Sequence, residues 1–320
     1  MPVISSFICC GRCCMKLDVM LKTRSYIALL DSSNGAVCYR LCHTETNSEL
    51  LRTPESEEML NTNRFLFGQP ILFPPNRIRG GEFTFDGRVY CLPINEPATE
   101  SHLHGTLYRL PFVIEEQSVD SAMFSYTAKA GEYLKFPHDF RVMRKYTLTD
   151  EFGLQEQTQI YNDSGLTMPV MLAYHTTFNI PFLADGKIED YRLSLPVGVE
   201  HKRDEKYLPT CEYEDTSICS LLRDGSFVPC EHTISAFYKA TGNIMYLRDH
   251  GTNCTLEYSA EGFSYWMLYN GGAKDFLTVE PQTCAIDAFH IDIPYRQAGV
   301  ISLEPGQSLS FKTAIRLIKG

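Results

Sequence analysis

Apolar residues recur in this chain with period two, and long runs at helical spacing are missing. Near the C-terminus Leu309, Phe311, Ile315 and Leu317 fall on odd positions, with Ser310, Lys312 and Arg316 between them. Such alternation marks a strand with one buried face. Phe83 and Phe85 alternate in the same way, Asp86-Gly87 follows, and "RVYCL" returns; Asp-Gly between two such runs predicts a hairpin. "RVMRKYTLT", "YRLSLPV" and "FSYWMLYN" read as further strands, and a short helix is expected in "SEEML". Gly (21) and Pro (17) punctuate the chain at short intervals. Many short strands separated by turns predict an all-β fold, a sandwich or barrel of antiparallel strands. No linker tract divides the chain after residue 20, and no repeat with a solenoid or propeller period occurs. Residues 1–20 are therefore expected to form a poorly ordered Cys-rich tail, and residues 21–320 a single domain.

The 320 residues are 44% hydrophobic, enough for a large core, and the net charge is −10. That charge argues against nucleic acid or an anionic membrane as partner, since both require a basic face. No apolar stretch approaches the ~20 residues that cross a bilayer. The N-terminus has no basic residue before its apolar run and no small-residue cleavage pattern, so no signal peptide is expected and the cytoplasm is the default location. Of the 12 Cys, eight are scattered singly and are expected to behave as small buried hydrophobes. The other four are Cys9, Cys10, Cys13 and Cys14. Cys10 and Cys13 have zinc-ligand spacing, but no second ligand pair follows nearby, which favours a plain tail over a metal site.

Four polar stretches interrupt the strand pattern. In "DFLTVEPQTCAIDAF" an apolar strand is expected to end at Glu280, a carboxylate locked by Pro281. A buried carboxylate is costly unless it is paired or used. In "LFPPNRIRGGEF", Asn76 and Arg77 lie between a proline pair and a glycine pair. Arg77 offers a planar fork suited to vicinal hydroxyls or a carboxylate, and a solvated loop Arg is the other reading. "ESHLHGTLYRLPF" carries His102 and His104. An HxH pair on a strand shares one face and can bind metal, but no third ligand sits close by in sequence, which favours one exposed and one core-facing histidine. In "MLAYHTTFNIPF", His175 lies in an apolar setting that suits either a hydrogen-bonded core residue or a catalyst. There is no G-x-S-x-G, no H-E-x-x-H and no Gly-rich phosphate loop.

Taken in order, "NRIRGGEF", "NEPATESHLHG", "YHTTFNIPF" and "VEPQTCAIDAF" resemble the aldose 1-epimerase (galactose mutarotase) family, over roughly residues 25 to 320. The resemblance implies a large twisted antiparallel β-sandwich with a sugar bound in an open cleft across one sheet. It implies Arg77, His104 and Asn76 as sugar contacts, His175 as general acid and Glu280 as general base. It implies interconversion of α and β anomers of an aldohexose or related sugar by ring opening, with no cofactor and no metal. The unperturbed values of ~4.3 for Glu and ~6.5 for His suit these roles. The only partner expected is the sugar, bound by a monomer or homodimer. Between the His and Glu motifs, where the family usually has an acidic residue that grips a sugar hydroxyl, "EHTISAFYKA" carries no Asp. His232, Ser235, Asp204 or Asp224 are candidates to replace it. Trp266, the only Trp, is a candidate for stacking on the sugar, or a core residue. A sugar phosphate would call for extra basic residues, with Arg79 a candidate. A carbohydrate-binding or sugar-sensing protein that keeps the cleft without turnover is the alternative reading.

Overall fold

A computed structural model describes residues 17–320. Two eight-stranded antiparallel sheets dominate. The first runs, in spatial order, through Val113–Gln117, Ser121–Ala128, Phe140–Thr149, Gly153–Asn162, Ser308–Ile318, Cys254–Glu261, Ile244–Asp249 and Tyr191–Ser194. The second runs through Pro209–Glu214, Val197–Arg203, Ser235–Ala240, Tyr265–Tyr269, Phe276–Gln282, Ala173–Tyr174 and Ile71–Leu72, and Thr176–Asn179 also pairs with Phe276–Gln282. A four-stranded sheet, from Val19–Lys22 to Ser48–Glu49, and three two-stranded ribbons complete the fold.

The period-two segments behave as their sequence dictates. In Ser308–Ile318 the residues from Phe311 to Leu317 at odd positions are buried and those between them are not. Asp86 and Gly87 both take positive φ, 49° and 71°, as a two-residue hairpin turn between Glu82–Phe85 and Arg88–Cys91 demands. The expected short helix spans Glu57–Thr62, with the Ser56 side chain accepting from the Met59 N–H. A second helix, Ser217–Asp224, is capped by Thr216 and closed by Gly225 at φ 77°. Both cap signals stand in the sequence, but two turns are too few to display a helical period.

One cluster of buried apolar side chains extends from Val19 to Leu317 and fills the space between the sheets. Val19–Lys22 begins inside the span expected to be tail, and Leu17 and Val19 are buried. Alternation over four residues is too short to read, and the strand is held by pairing with Tyr26–Asp31. The Cys9–Cys14 cluster lies outside the described residues. Of the eight single cysteines, Cys38, Cys42, Cys219, Cys254 and Cys284 are buried, while Cys91 is exposed. No helix among the described residues is long and apolar enough to cross a membrane.

Candidate active site

Glu280 does not end its strand. It is the fifth residue of the seven-residue strand Phe276–Gln282, all of which is buried. The partner strands explain how a carboxylate sits there. Ala173 faces Gln282 and Thr176 faces Val279, two pairs whose numbers each sum to 455, so the same register sets His175 opposite Glu280. Their side chains meet, His175 Nε2 lying 3.3 Å from Glu280 Oε1. The ladder is interrupted at His175, whose backbone N–H turns to the Pro70 carbonyl at 2.9 Å. Pro281, which brings no N–H to a ladder, lies beside this break. Gln282, two residues along on the same face, donates from Nε2 to Glu280 Oε2 at 3.1 Å.

Burial governs both groups. Glu280 is 2% exposed and His175 5%. Loss of solvation pushes the Glu280 carboxyl up to about 8, against the opposing pull of the Gln282 hydrogen bond and of Arg203 and Arg77. The same loss pushes His175 down to about 3, with the Phe65 backbone favouring the charged ring. The ordinary values assumed from sequence therefore do not hold in this pocket. Near neutral pH the pair holds one proton, and a neutral carboxyl beside a neutral imidazole is the favoured arrangement.

His104 borders this pair, its ring 5.5 Å from the His175 ring. It leaves its strand with φ 64°, followed by Gly105 at φ 63°. A Cβ on Gly105 would stand 2.0 Å from the Phe73 carbonyl oxygen, so glycine is required there. His104 Nδ1 accepts the Asn76 N–H at 3.1 Å. An accepting Nδ1 leaves the proton of the neutral ring on Nε2, as a donor. Burial keeps the ring neutral by lowering its pKa far below the ordinary value. Asn76, at φ 53°, is buried and acts through its neighbours: its Oδ1 accepts the Arg77 N–H at 3.0 Å and its carbonyl accepts the His104 N–H. His102, by contrast, is a core residue whose Nδ1 meets the Pro93 carbonyl at 2.7 Å. The two rings of the HxH pair part because His104 departs from extended backbone.

Arg77 is held by a carboxylate that sequence reading passed over. Glu96 takes Nε and Nη2 in a fork at 2.6 and 2.7 Å. Arg203, at the end of Val197–Arg203, is the second guanidinium of the cleft and was also missed. Tyr207, in the hairpin loop that follows, lies between them, 4.6 Å from Arg77 Cζ and 5.7 Å from Arg203 Cζ. That loop is tied by Asp204, whose Oδ1 accepts the N–H groups of Lys206 and Leu208. Phe65, on the turn after the first helix, packs 4.6 Å from His104 and 5.8 Å from His175. A signal existed for Arg203 in the run "HKRDEK", but only pairing against Ser235–Ala240 brings it to this site.

Trp266 is not a cleft residue. Glu280 pairs with Met267, so Trp266 faces the opposite side of the sheet, opposite Pro281. It is 1% exposed, donates from Nε1 to the Gly242 carbonyl and packs on Tyr258 of the other sheet. Period two decides this: adjacent residues of a strand point to opposite faces. Among the candidate replacements for the missing acid, His232 stacks on Phe227 and Asp224 caps the end of its helix at Ser226. Ser235 does reach the cleft, where its Oγ accepts from Arg203 Nη2 at 3.0 Å.

The aldose 1-epimerase family model matches residues 31–316. The chain belongs to the aldose 1-epimerase family. The uncharacterized protein YihR of Escherichia coli is 24% identical over 240 residues, covering 72% of this chain and 74% of that protein. The galactose mutarotase of Rattus norvegicus is 31% identical over 147 residues, 45% of this chain and 41% of that enzyme. The chain thus spans less than half the length of that mutarotase. Among solved structures, a galactose mutarotase-like protein of Clostridium acetobutylicum superposes with a TM-score of 0.87 at 24% identity, covering 94% of this chain and 95% of the other. An aldose epimerase homologue of C. elegans gives 0.75 at 17%, covering 94% and 98%. The fold is the galactose mutarotase-like sandwich, and membership places the chain in an isomerase-type family acting on sugars.

Proposed function

We propose that the protein interconverts the α and β anomers of an aldose through ring opening by Glu280 and His175. The observation that carries this reading is the direct opposition of the two buried side chains, His175 Nε2 lying 3.3 Å from Glu280 Oε1. The reactive arrangement is a carboxylate beside an imidazolium, reached from the resting pair by moving that proton across the contact. Glu280 then takes the proton of the anomeric hydroxyl. The C1–O5 bond breaks, its electrons stay on O5, and His175 delivers its proton there. The product is the open-chain aldehyde, and the pair is left as neutral carboxyl and neutral imidazole, the arrangement that burial favours. Rotation about C1–C2 and the reverse steps close the ring on the other face. His104 Nε2–H and the Arg77 guanidinium supply donors to the sugar oxygens.

The test is anomer exchange measured by NMR on wild type and Glu280→Gln. Catalysed exchange in wild type that disappears in the variant, with sugar binding kept within about tenfold, supports the reading. Exchange no faster than buffer across free and charged sugars would remove it.

A further inference from the structure

The acid–base pair sits beside a positive charge that ring opening does not call for. Arg77 is cancelled by the Glu96 fork. Arg79, the basic candidate from sequence, is taken by Asp287, with Nε 3.2 Å from Oδ2. Arg203 differs from both. Among the described residues no carboxylate approaches it within ion-pair distance, and the hydrogen bonds it makes within the protein leave from Nη2, to the carbonyl and Oγ of Ser235. Donors on Nε and Nη1 remain for a ligand. It is half-buried, and burial together with the like charge of Arg77 lowers its affinity for its proton. Such a guanidinium gains from an incoming anion.

The charge count points the same way. Glu280 and His175 sum to zero in either arrangement of their shared proton. Arg77 and Glu96 cancel. Glu200, the other carboxylate acting on Arg203, lies 3.3 Å from Lys202 Nζ, which leaves Arg203 the unpaired cation of the cleft in a protein whose formal net charge is −10. Ser235, which holds Arg203, lies in the stretch where a sugar-gripping acidic residue was expected. A carboxylate there would accept from sugar hydroxyls, whereas a guanidinium donates and carries the opposite charge. The polarity of this part of the cleft is inverted.

We infer that Arg203, set by Ser235 and flanked by Tyr207, is a subsite for an oxyanion on the sugar, so that the substrate is an aldose bearing a negatively charged substituent. This rests on the anomer-exchange reading given above. One uncancelled guanidinium matches one carboxylate, which makes a hexuronate the better fit; a phosphate with nearly two charges would call for a second free cation beside it.

The experiment compares D-glucose, D-glucuronate and D-glucose 6-phosphate, and their galacto counterparts, by NMR anomer exchange on wild type and Arg203→Met. Expected is a kcat/KM about 10- to 100-fold higher for a uronate than for its neutral hexose. Arg203→Met collapses that ratio mainly through KM, and added salt lowers the wild-type ratio but not the variant's. A preference for the phosphate keeps the oxyanion subsite and overturns the carboxylate assignment. Brisk exchange of neutral hexoses with no preference for either anion overturns the inference and leaves the mutarotase reading intact. If no sugar exchanges, that reading falls, and calorimetric titration of D-glucuronate into both proteins decides the subsite alone: binding that depends on Arg203 keeps it, and no binding removes it. Arg203→Lys, which keeps the charge and loses the fork, serves if the Met variant fails to fold.

Discussion

Two buried acidic residues make opposite use of the same sandwich. Glu156 lies between the sheets, its Oε1 2.8 Å from Arg144 Nε, and both side chains are essentially sealed from solvent. Each nitrogen of Arg144 and each carboxylate oxygen of Glu156 has a hydrogen-bond partner. Thr158 and Thr313 donate to Glu156, and Arg144 also donates to the Gly35 and Gln69 carbonyls. Burial pulls the Arg144 pKa down, but Glu156, Tyr146 and Tyr174 more than offset it, and the guanidinium is held charged. Glu280 is as deeply buried, yet it receives a single hydrogen bond, from Gln282, and faces a histidine that burial keeps neutral. His175 Nδ1 and Gln282 Oε1 are left without hydrogen-bond partners of ordinary geometry. A saturated pair is fixed in one charge state and belongs to the scaffold. An unsaturated pair with one mobile proton is free to exchange it with a ligand.

The contrast breaks most sharply under substitution. His175→Ala and Glu280→Gln should each lower anomer exchange by about 10²- to 10⁴-fold while the protein stays folded, since a positioned acid or base contributes that much. Activity per folded molecule that survives either change would turn the pair back into scaffold. Glu156→Leu should do the reverse. It strands Arg144 among apolar groups and should cost about 3–5 kcal/mol of stability in denaturant titration, with exchange per folded molecule unchanged. A stable variant would mean that Arg144 finds other partners.

Titration separates the two pairs again. The folded carboxyl of Glu280 is raised from its ordinary 4.5 to about 8, so the stability it lends is complete below pH 4.5 and is lost as pH rises through about 8. Glu280→Gln is therefore expected to match wild type at pH 4.5 and to exceed it by a margin that grows, to the order of a few kcal/mol, by pH 8 and above. His175 is lowered from 6.5 to about 3, so its contribution is present above 6.5 and disappears only as pH falls through about 3. Exchange, which requires one proton on the pair, should hold between those limits and fall above pH 8. Melting curves and exchange rates across pH 4–9 check both statements, and a stability margin independent of pH would show that Glu280 is not held neutral.

The smallest effect expected is at Trp266. Phenylalanine there loses the bond to Gly242 and some packing on Tyr258, about 1–2 kcal/mol, and leaves the sugar affinity alone. A drop in affinity on calorimetric titration would place Trp266 in the cleft after all.

What the sequence determined by itself was everything local. Period two in Ser308–Ile318 and Asp-Gly at 86–87 specify strands and a hairpin from steric and burial rules that act over a few residues. The anomaly of Glu280 in an apolar run was legible for the same reason, as were Asn76, Arg77, His104 and His175 as interruptions of the pattern. Their assembly was not legible, because it depends on pairing between segments more than a hundred residues apart. Only the register of Ala173–Asn179 against Phe276–Gln282 sets His175 opposite Glu280, and only that burial reverses the protonation expected from ordinary pKa values. The same holds for Arg203 and Glu96, whose roles come from the strand and loop they meet, and for Trp266, whose face is settled by the pairing of Met267 with Glu280. A side chain's chemistry is written in the sequence, but its solvation and its partners belong to the tertiary fold, and those decide which carboxylate is scaffold and which can carry a proton.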